Sequence, residues 1–460
     1  MRKIFKLSVP DLRALVLLIA SCVLLPALLV TVHINKNPEL SPTDEAAHYD
    51  YVTRASQWSI PRLGQPMQQD TFRVAACRGT ALNGLVTPKC GLVHYSPATF
   101  AGGGLSYEAQ QPPAYYFVTA AIRWFPEKLL GVSSFTAARL VGIFWLVAAL
   151  TLFWIACRLQ KIKPLIAASG CVLMCAAPVV LYSASNITND ASSLFCGCWA
   201  LVLGLLATHT SQRHLSLVFL ASGILLPLFK ATNILAVVAV SLGLLLWFLW
   251  NSNEDAPAKQ RLIDALKKWL PNGGIFLLGG VFSVLAWALI ERHMSLINPT
   301  TLITFDVLRT RGVGLSLIAS EAVALFGPLV DAPAPLLSGS GIQVLGNPTA
   351  LNLYTIFKFA LLYLPLAAGL AILFKKKPNF FNWLGFLTLG TLYFGGFILG
   401  CAMWKTYDID PGLSGRYGLC LAPFLIITVL GLASNKLPRL GIWFLGLIGV
   451  ALDLWIMLIP

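Results

Sequence analysis

The chain has 460 residues, of which 57% are hydrophobic and only 11% charged, and its net charge at neutral pH is +14. So few charges, with apolar runs of about 20 residues recurring from end to end, exclude a water-soluble enzyme and point to an all-α polytopic membrane protein. An outer-membrane barrel does not fit either, because its strands would alternate over about 10 residues.

In chain order, the first apolar run covers 12–32. It is longer than the core of a signal peptide, lacks a small-residue cleavage site and starts among Arg2, Lys3, Lys6 and Arg13. It reads as a retained span with a cytoplasmic N-terminus. Further spans follow near 136–156, 164–184, 191–208, 215–230, 232–250, 272–290, 353–374, 381–403, 416–433 and 440–458, about eleven in all. Alternate connections are basic: Arg158/Lys161/Lys163, Arg213, Lys259/Arg261/Lys267/Lys268, Lys375/Lys376/Lys377 and Lys436/Arg439. All fall on the side of the N-terminus, as the positive-inside rule requires. The basic balance therefore reflects topology and anionic lipid at the inner surface, not nucleic-acid binding. The chain divides into a 1–250 module, with six spans and the outer loop 33–135, and a 251–460 module, with five spans and the outer loop 291–352.

Residues 112–125 are apolar but too few to cross a bilayer. Opened by Pro112-Pro113 and closed by Arg123 to Lys128, they read as a juxtamembrane helix lying at the outer interface. The inner connections are all short, and there is no P-loop or Rossmann glycine pattern, so the chemistry belongs on the outer face and needs no bound nucleotide.

Five sites on that face carry polar residues of chemical interest. The stretch Ser41-Pro42-Thr43-Asp44-Glu45-Ala46-Ala47-His48-Tyr49 follows the first span. Ser41 reads as a helix N-cap and Pro42 as the first helical residue, which puts Asp44 in the first turn with His48 on the same face. An ordinary capping box accounts for the same residues. Next, Tyr107-Glu108-Ala109-Gln110-Gln111-Pro112-Pro113-Ala114-Tyr115-Tyr116 starts the interfacial helix, with Glu108, Gln111 and Tyr115 as candidate substrate contacts or interfacial anchors. Asn186-Ile187-Thr188-Asn189-Asp190 lies at an outer helix end, where Asp190 is a second carboxylate or a cap. Finally, Lys230 stands between two spans, and Asp408-Ile409-Asp410-Pro411-Gly412-Leu413-Ser414-Gly415-Arg416-Tyr417 precedes another. An arginine is disfavoured by the dipole at a helix start, so Arg416 suits an anionic ligand such as phosphate, with Lys230 either snorkelling or sharing it.

Of the ten cysteines, Cys77 and Cys90 lie in the long outer loop and are expected to pair in an oxidising compartment, a free-thiol pair being the alternative. The other eight lie in or beside spans and read as small buried hydrophobes.

Taken together, the acidic pair after the first span, Gln111-Pro112-Pro113-Ala114-Tyr115-Tyr116, Arg139-Leu140 at the second span, Asn189-Asp190 and Ser414-Gly415-Arg416-Tyr417 resemble the GT-C superfamily of membrane glycosyltransferases, most like a bacterial branch of it. The resemblance covers about residues 1–230 and 400–425. It implies a GT-C-like fold in a bacterial inner membrane, with the C-terminus and active site periplasmic. It implies transfer of a hexosyl or pentosyl group from a polyprenyl-phosphate donor to a glycan or lipid-linked acceptor, with inversion. Asp44 would be the general base, Glu45 would orient the acceptor or bind a cation, and Asp190 would be the second acidic residue. Lys230, Arg416 and Tyr417 would hold the donor phosphate, with His48, Glu108, Gln111 and Tyr115 around the substrate. A metal held by Asp44 and Glu45 would be Mg²⁺ or Mn²⁺.

Two other classes stay open. A lipid-linked polysaccharide ligase or polymerase would rely on basic residues of a late loop, and Arg292, His293, Arg309 and Arg311 in 291–352 keep that reading. A lipid or glycan transporter would show intramembrane charge and repeats; Asp453 lies well inside a span, but no repeat is evident.

Overall fold

A computed structural model describes residues 12–41, 44–80, 88–209, 215–253, 255–298, 301, 314–330, 348–374, 378–407, 412–432 and 436–458. Among them the chain is helical, with only two isolated β-bridges, Leu40 to Thr80 and Pro66 to Leu105. Eight helices are long and apolar enough to cross a membrane: Leu12–Lys36, Ser134–Leu159, Asp190–His209, Ala231–Trp250, Ala258–Met294, Asn352–Leu370, Phe380–Thr406 and Leu440–Leu458. The chain is a multi-pass membrane protein by this measure. Large apolar side chains such as Leu278, Phe282, Leu285 and Leu289 face outward, as lipid contact demands.

A ninth span is formed if the bent pair Pro164–Cys175 and Pro178–Ser185 crosses as one. The sequence reads as a straight helix here, and the structure bends it by 67°. Pro178 is the cause. Its ring removes one N–H and clashes with the carbonyl four residues back. Ala177, before it, is extended at φ −73° and ψ 129°, as a residue preceding proline prefers. Two other expected spans, 215–230 and 416–433, form the shorter apolar helices Leu215–Phe229 and Gly415–Gly431. A third short apolar helix, Leu315–Phe326, lies where an outer loop is expected. Arg309, Arg311, Asp408 and Asp410 lie outside the described residues.

The outer loop builds its own small body. Helices Glu45–Ala55 and Gln69–Arg78 are followed by short 3-10 turns and by Ala114–Leu130. The buried Asp50 carboxylate ties them together. It accepts from Arg54 Nε at 2.8 Å, Gln68 N at 2.7 Å, Thr71 Oγ1 at 3.2 Å and Ser106 Oγ at 3.2 Å. Met67, Phe72 and Tyr95 form a satellite core, and Cys77 is bonded to Cys90. Helix Ala114–Leu130 runs 17 residues, through Pro126, a little further than expected. It buries Tyr115, Tyr116 and Thr119 on one face and exposes Trp124, Phe125, Leu129 and Leu130, consistent with an interfacial position.

Close packing brings the helix ends beside this body together. Trp145 is buried among Tyr115, Phe195 and Phe229. Each such aromatic pair is worth about 0.5–1.5 kcal/mol beyond its area. Two glycines permit backbone contact: a Cβ at Gly142 would overlap the Ala184 carbonyl, and one at Gly197 would overlap that of Cys420. The second contact lays the segment carrying Arg416 directly on the helix carrying Asp190.

Candidate active site

Four charged side chains from four distant stretches meet at one end of this bundle, the end that carries the 33–135 loop. The Lys230 ammonium is bonded to Asp190 Oδ1. The Arg416 guanidinium reaches Asp190 Oδ2 at 3.4 Å through Nη1 and Asp44 Oδ2 at 3.5 Å through Nη2. The Tyr417 ring lies beneath both cations, 4.9 Å from Lys230 Nζ and 5.4 Å from Arg416 Cζ. Asp190 and Lys230 are buried, whereas the Asp44 side chain keeps 29% of its exposure. The cluster thus opens to its surroundings on the Asp44 side.

Local chain geometry aims each member. Asp44 is not in the first turn of its helix, as the sequence suggests. The helix begins at Glu45, and Asp44 is the N-cap, in the left-handed region at φ 60°. Ser41 is therefore not the cap, and Pro42 lies outside the described residues. A left-handed aspartate is strained, by about 1 kcal/mol or more, though Asp and Asn tolerate it best. Tyr107 holds it by donating its hydroxyl to Asp44 Oδ1 at 3.1 Å. Burial beside that carboxylate raises the Tyr107 pKa well above its ordinary value, so the phenol stays a donor. Asp190 is set by Thr188, whose hydroxyl accepts from Asp190 N at 3.3 Å and donates to Asp190 Oδ2 at 3.2 Å.

Glu45 points elsewhere. Both its oxygens accept from Arg139, Oε1 from Nε and Oε2 from Nη2, each at 2.7 Å. Oε1 also accepts from Ile187 N at 2.9 Å and Oε2 from Ser41 N at 2.7 Å. Arg139 uses its remaining donors on the carbonyls of Asn37 and Glu39, both at 2.6 Å. This buried clamp ties the end of the first span, the acidic turn and the Asn186–Asp190 turn together, directly beside the strained Asp44. Glu45 therefore has no lone pair to spare for an acceptor.

The same fact bears on Mg²⁺ or Mn²⁺. Among the described residues no three His, Cys, Asp or Glu side chains converge as a metal site. Asp44 and Asp190 face Arg416 and Lys230, and Glu45 faces Arg139. These residues do not fit a dication, which would have to displace a cation from each carboxylate, and no step is routed through one.

Behind Asp44, His48 Nδ1 pairs with the Tyr116 hydroxyl at 2.9 Å and lies 3.5 Å from Glu108 Oε2. Tyr51 stacks on Tyr116 at 3.7 Å. Burial lowers His48 to a pKa of about 4, against the pull of Asp44 and Asp190, so the ring is neutral near pH 7. Burial, with Asp44 nearby, pushes Glu108 well above the usual carboxylate range. Gln111 accepts from Asn189 Nδ2 at 2.9 Å and so braces the Asp190 turn. Tyr115 turns away into the core against Trp145.

The structure thus brings Asp44, Asp190, Lys230, Arg416 and Tyr417 into one site, sets His48 and Glu108 beside it, and uses Glu45, Gln111 and Tyr115 in the supporting wall. Arg139, Tyr107 and Tyr116 belong to the arrangement but are not singled out as site residues by sequence reasoning. Arg139 had a signal, since an arginine at the start of an apolar span demands a buried partner. No family model, curated protein or solved structure matches the chain.

Proposed function

We propose that this chain is an inverting glycosyltransferase on the GT-C plan its motifs resemble. It would move a sugar from a polyprenyl-phosphate donor to a hydroxyl of a glycan or lipid-linked acceptor. The observation that supports this reading is the state of Arg416. Its two bonds to carboxylates are long, at 3.4 and 3.5 Å, and its Nε, though buried, has no hydrogen-bond partner. A guanidinium held this loosely by its two carboxylates, with the Tyr417 hydroxyl as a further polar neighbour, is poised to take a phosphate on its fork.

In this mechanism Lys230 and Arg416 bind the donor phosphate, with Tyr417 beneath them. Asp44, the exposed carboxylate, takes the proton of the acceptor hydroxyl. The hydroxyl oxygen forms its bond to the anomeric carbon from the face opposite the phosphate. The bond from that carbon to the phosphate oxygen breaks, and its electron pair leaves on the polyprenyl phosphate, where the two cations neutralise the growing charge. Asp190 holds both cations in register. With the basic connections on the cytoplasmic side, as the positive-inside rule favours, the N-terminus would be cytoplasmic and the site would lie on the periplasmic face of the bacterial inner membrane that the resemblance implies.

Asp44→Asn tests the assignment. Asparagine tolerates the left-handed backbone and can still accept from Tyr107, so the fold survives. The proton acceptor is lost, and transfer should fall about 10²- to 10⁴-fold while binding of a polyprenyl-phosphate sugar persists. An Asp44→Asn protein with near-normal turnover on a substrate that the native protein uses would refute it.

A further inference from the structure

One acid beside the site has no use in the scheme above. Glu108 lies in the 3-10 turn Tyr107–Gln110, and 95% of it is withdrawn from solvent. Its Oε2 is buried and makes no hydrogen bond. The nearest group able to carry a positive charge is His48 Nδ1 at 3.5 Å, and that nitrogen already faces the Tyr116 hydroxyl. Among the described residues no lysine or arginine forms an ion pair with it. An ionised carboxylate in such a place would suffer desolvation that no contacting cation offsets and that the more distant Arg416 and Lys230 offset only in part, whereas a neutral acid would not. The negative charge of Asp44 works in the same direction. The Glu108 neighbour Tyr107 bonds Asp44, and His48, one helical turn beyond Asp44, touches Glu108 itself, so this acid lies beside the same site.

We propose that Glu108, as an uncharged acid, reads a substrate hydroxyl beside Asp44 through a hydrogen bond at Oε1, since Oε2 is enclosed by protein. That hydroxyl belongs either to the transferred sugar or to the acceptor. Neutral His48, held by Tyr116, completes the polar wall without adding charge, and this leaves Asp44 as the base at the open edge of the site. The proposal rests on the transferase reading and adds to it a residue that selects hydroxylated substrates.

Glutamine and leucine at position 108 separate the possibilities. Glu108→Gln keeps the shape, one donor and one acceptor, and should lose about threefold in kcat/KM. Glu108→Leu removes the hydrogen bond altogether and should lose about 10- to 100-fold, read mainly in KM. If the hydroxyl is on the sugar, the loss is in the KM for the donor, and a donor lacking that hydroxyl is used equally by the native and leucine proteins. If it is on the acceptor, the same pattern appears with acceptor analogues. Glutamine as damaging as leucine, or leucine as active as the native protein on every analogue, would overturn the proposal. A readout without substrate guards against misfolding of the leucine variant. The infrared difference between the native protein and Glu108→Gln at neutral pH should contain the carbonyl stretch of a protonated carboxyl, any band from Asp453, whose buried Oδ2 also lacks a partner, cancelling in the difference. Its absence from that difference would overturn the proposal even if Asp44→Asn is inactive. Its presence would stand if Asp44→Asn proved active and only the base assignment fell.

Discussion

Arg139→Ala should be among the most damaging single substitutions in this protein, although Arg139 touches no substrate in the proposed mechanism. Its side chain is 1% exposed and makes four short hydrogen bonds, two to Glu45 and two to the carbonyls of Asn37 and Glu39. Alanine would leave the Glu45 carboxylate buried with only the Ser41 and Ile187 amides as partners. Breaking one side of a buried pair in this way costs about 3–5 kcal/mol. The orphaned carbonyls add to that, less whatever water can reach them. Lysine would restore the charge but not the fork, and should recover only part of the loss. Equilibrium unfolding of the purified protein in detergent would measure the series. A double-mutant cycle with Glu45→Gln should give a coupling of about 2 kcal/mol or more. A loss below about 1 kcal/mol for Arg139→Ala, as for an exposed ion pair, would refute the buried clamp.

Serine at Cys77 and Cys90 should lower stability by roughly 3 kcal/mol, the chain-entropy value for a loop of this size. Non-reduced peptide mapping checks the bond directly, and labelling of both thiols without reduction would contradict it. His48 sets a pH dependence: its pKa falls from 6.5 in the unfolded chain to about 4 in the fold. The unfolded chain then binds the proton more readily, so this contribution is complete above pH 6.5 and is lost as pH falls towards 4. Its full size is about 3 kcal/mol. His48→Gln should flatten stability over that window, and an unchanged slope would be a contrary result. For topology, alkaline phosphatase fused after Gly104 should be active and after Lys163 inactive; the reverse pattern would invert the orientation and the mechanism built on it.

How much of this was legible in the chain depends on the range of the interaction concerned. Apolar runs, basic connections and the pair Cys77 and Cys90 are local features, and bilayer thickness, lipid charge and an oxidising compartment act on them directly. The helical, multi-pass character and the disulfide follow from them. Hydropathy does not register backbone donors, however, so the run 164–184 reads as one span although Pro178 bends it. It also misreads length: Leu215–Phe229 is as apolar as its neighbours but shorter, and Leu315–Phe326 is hidden in a loop. The acidic turn shows the limit most clearly. Asp44 and Glu45 are adjacent and alike in sequence, and either suits a base or a ligand. Only the tertiary structure separates them, because Arg139 lies 94 residues beyond Glu45 and claims both of its oxygens. Asp44 is left at the open edge with a strained backbone and a loosely held arginine. Burial does the same for Glu108, which no spacing distinguishes from an ordinary surface acid. Partners contributed across the whole bundle decide which carboxyl is neutral, which is clamped and which is exposed.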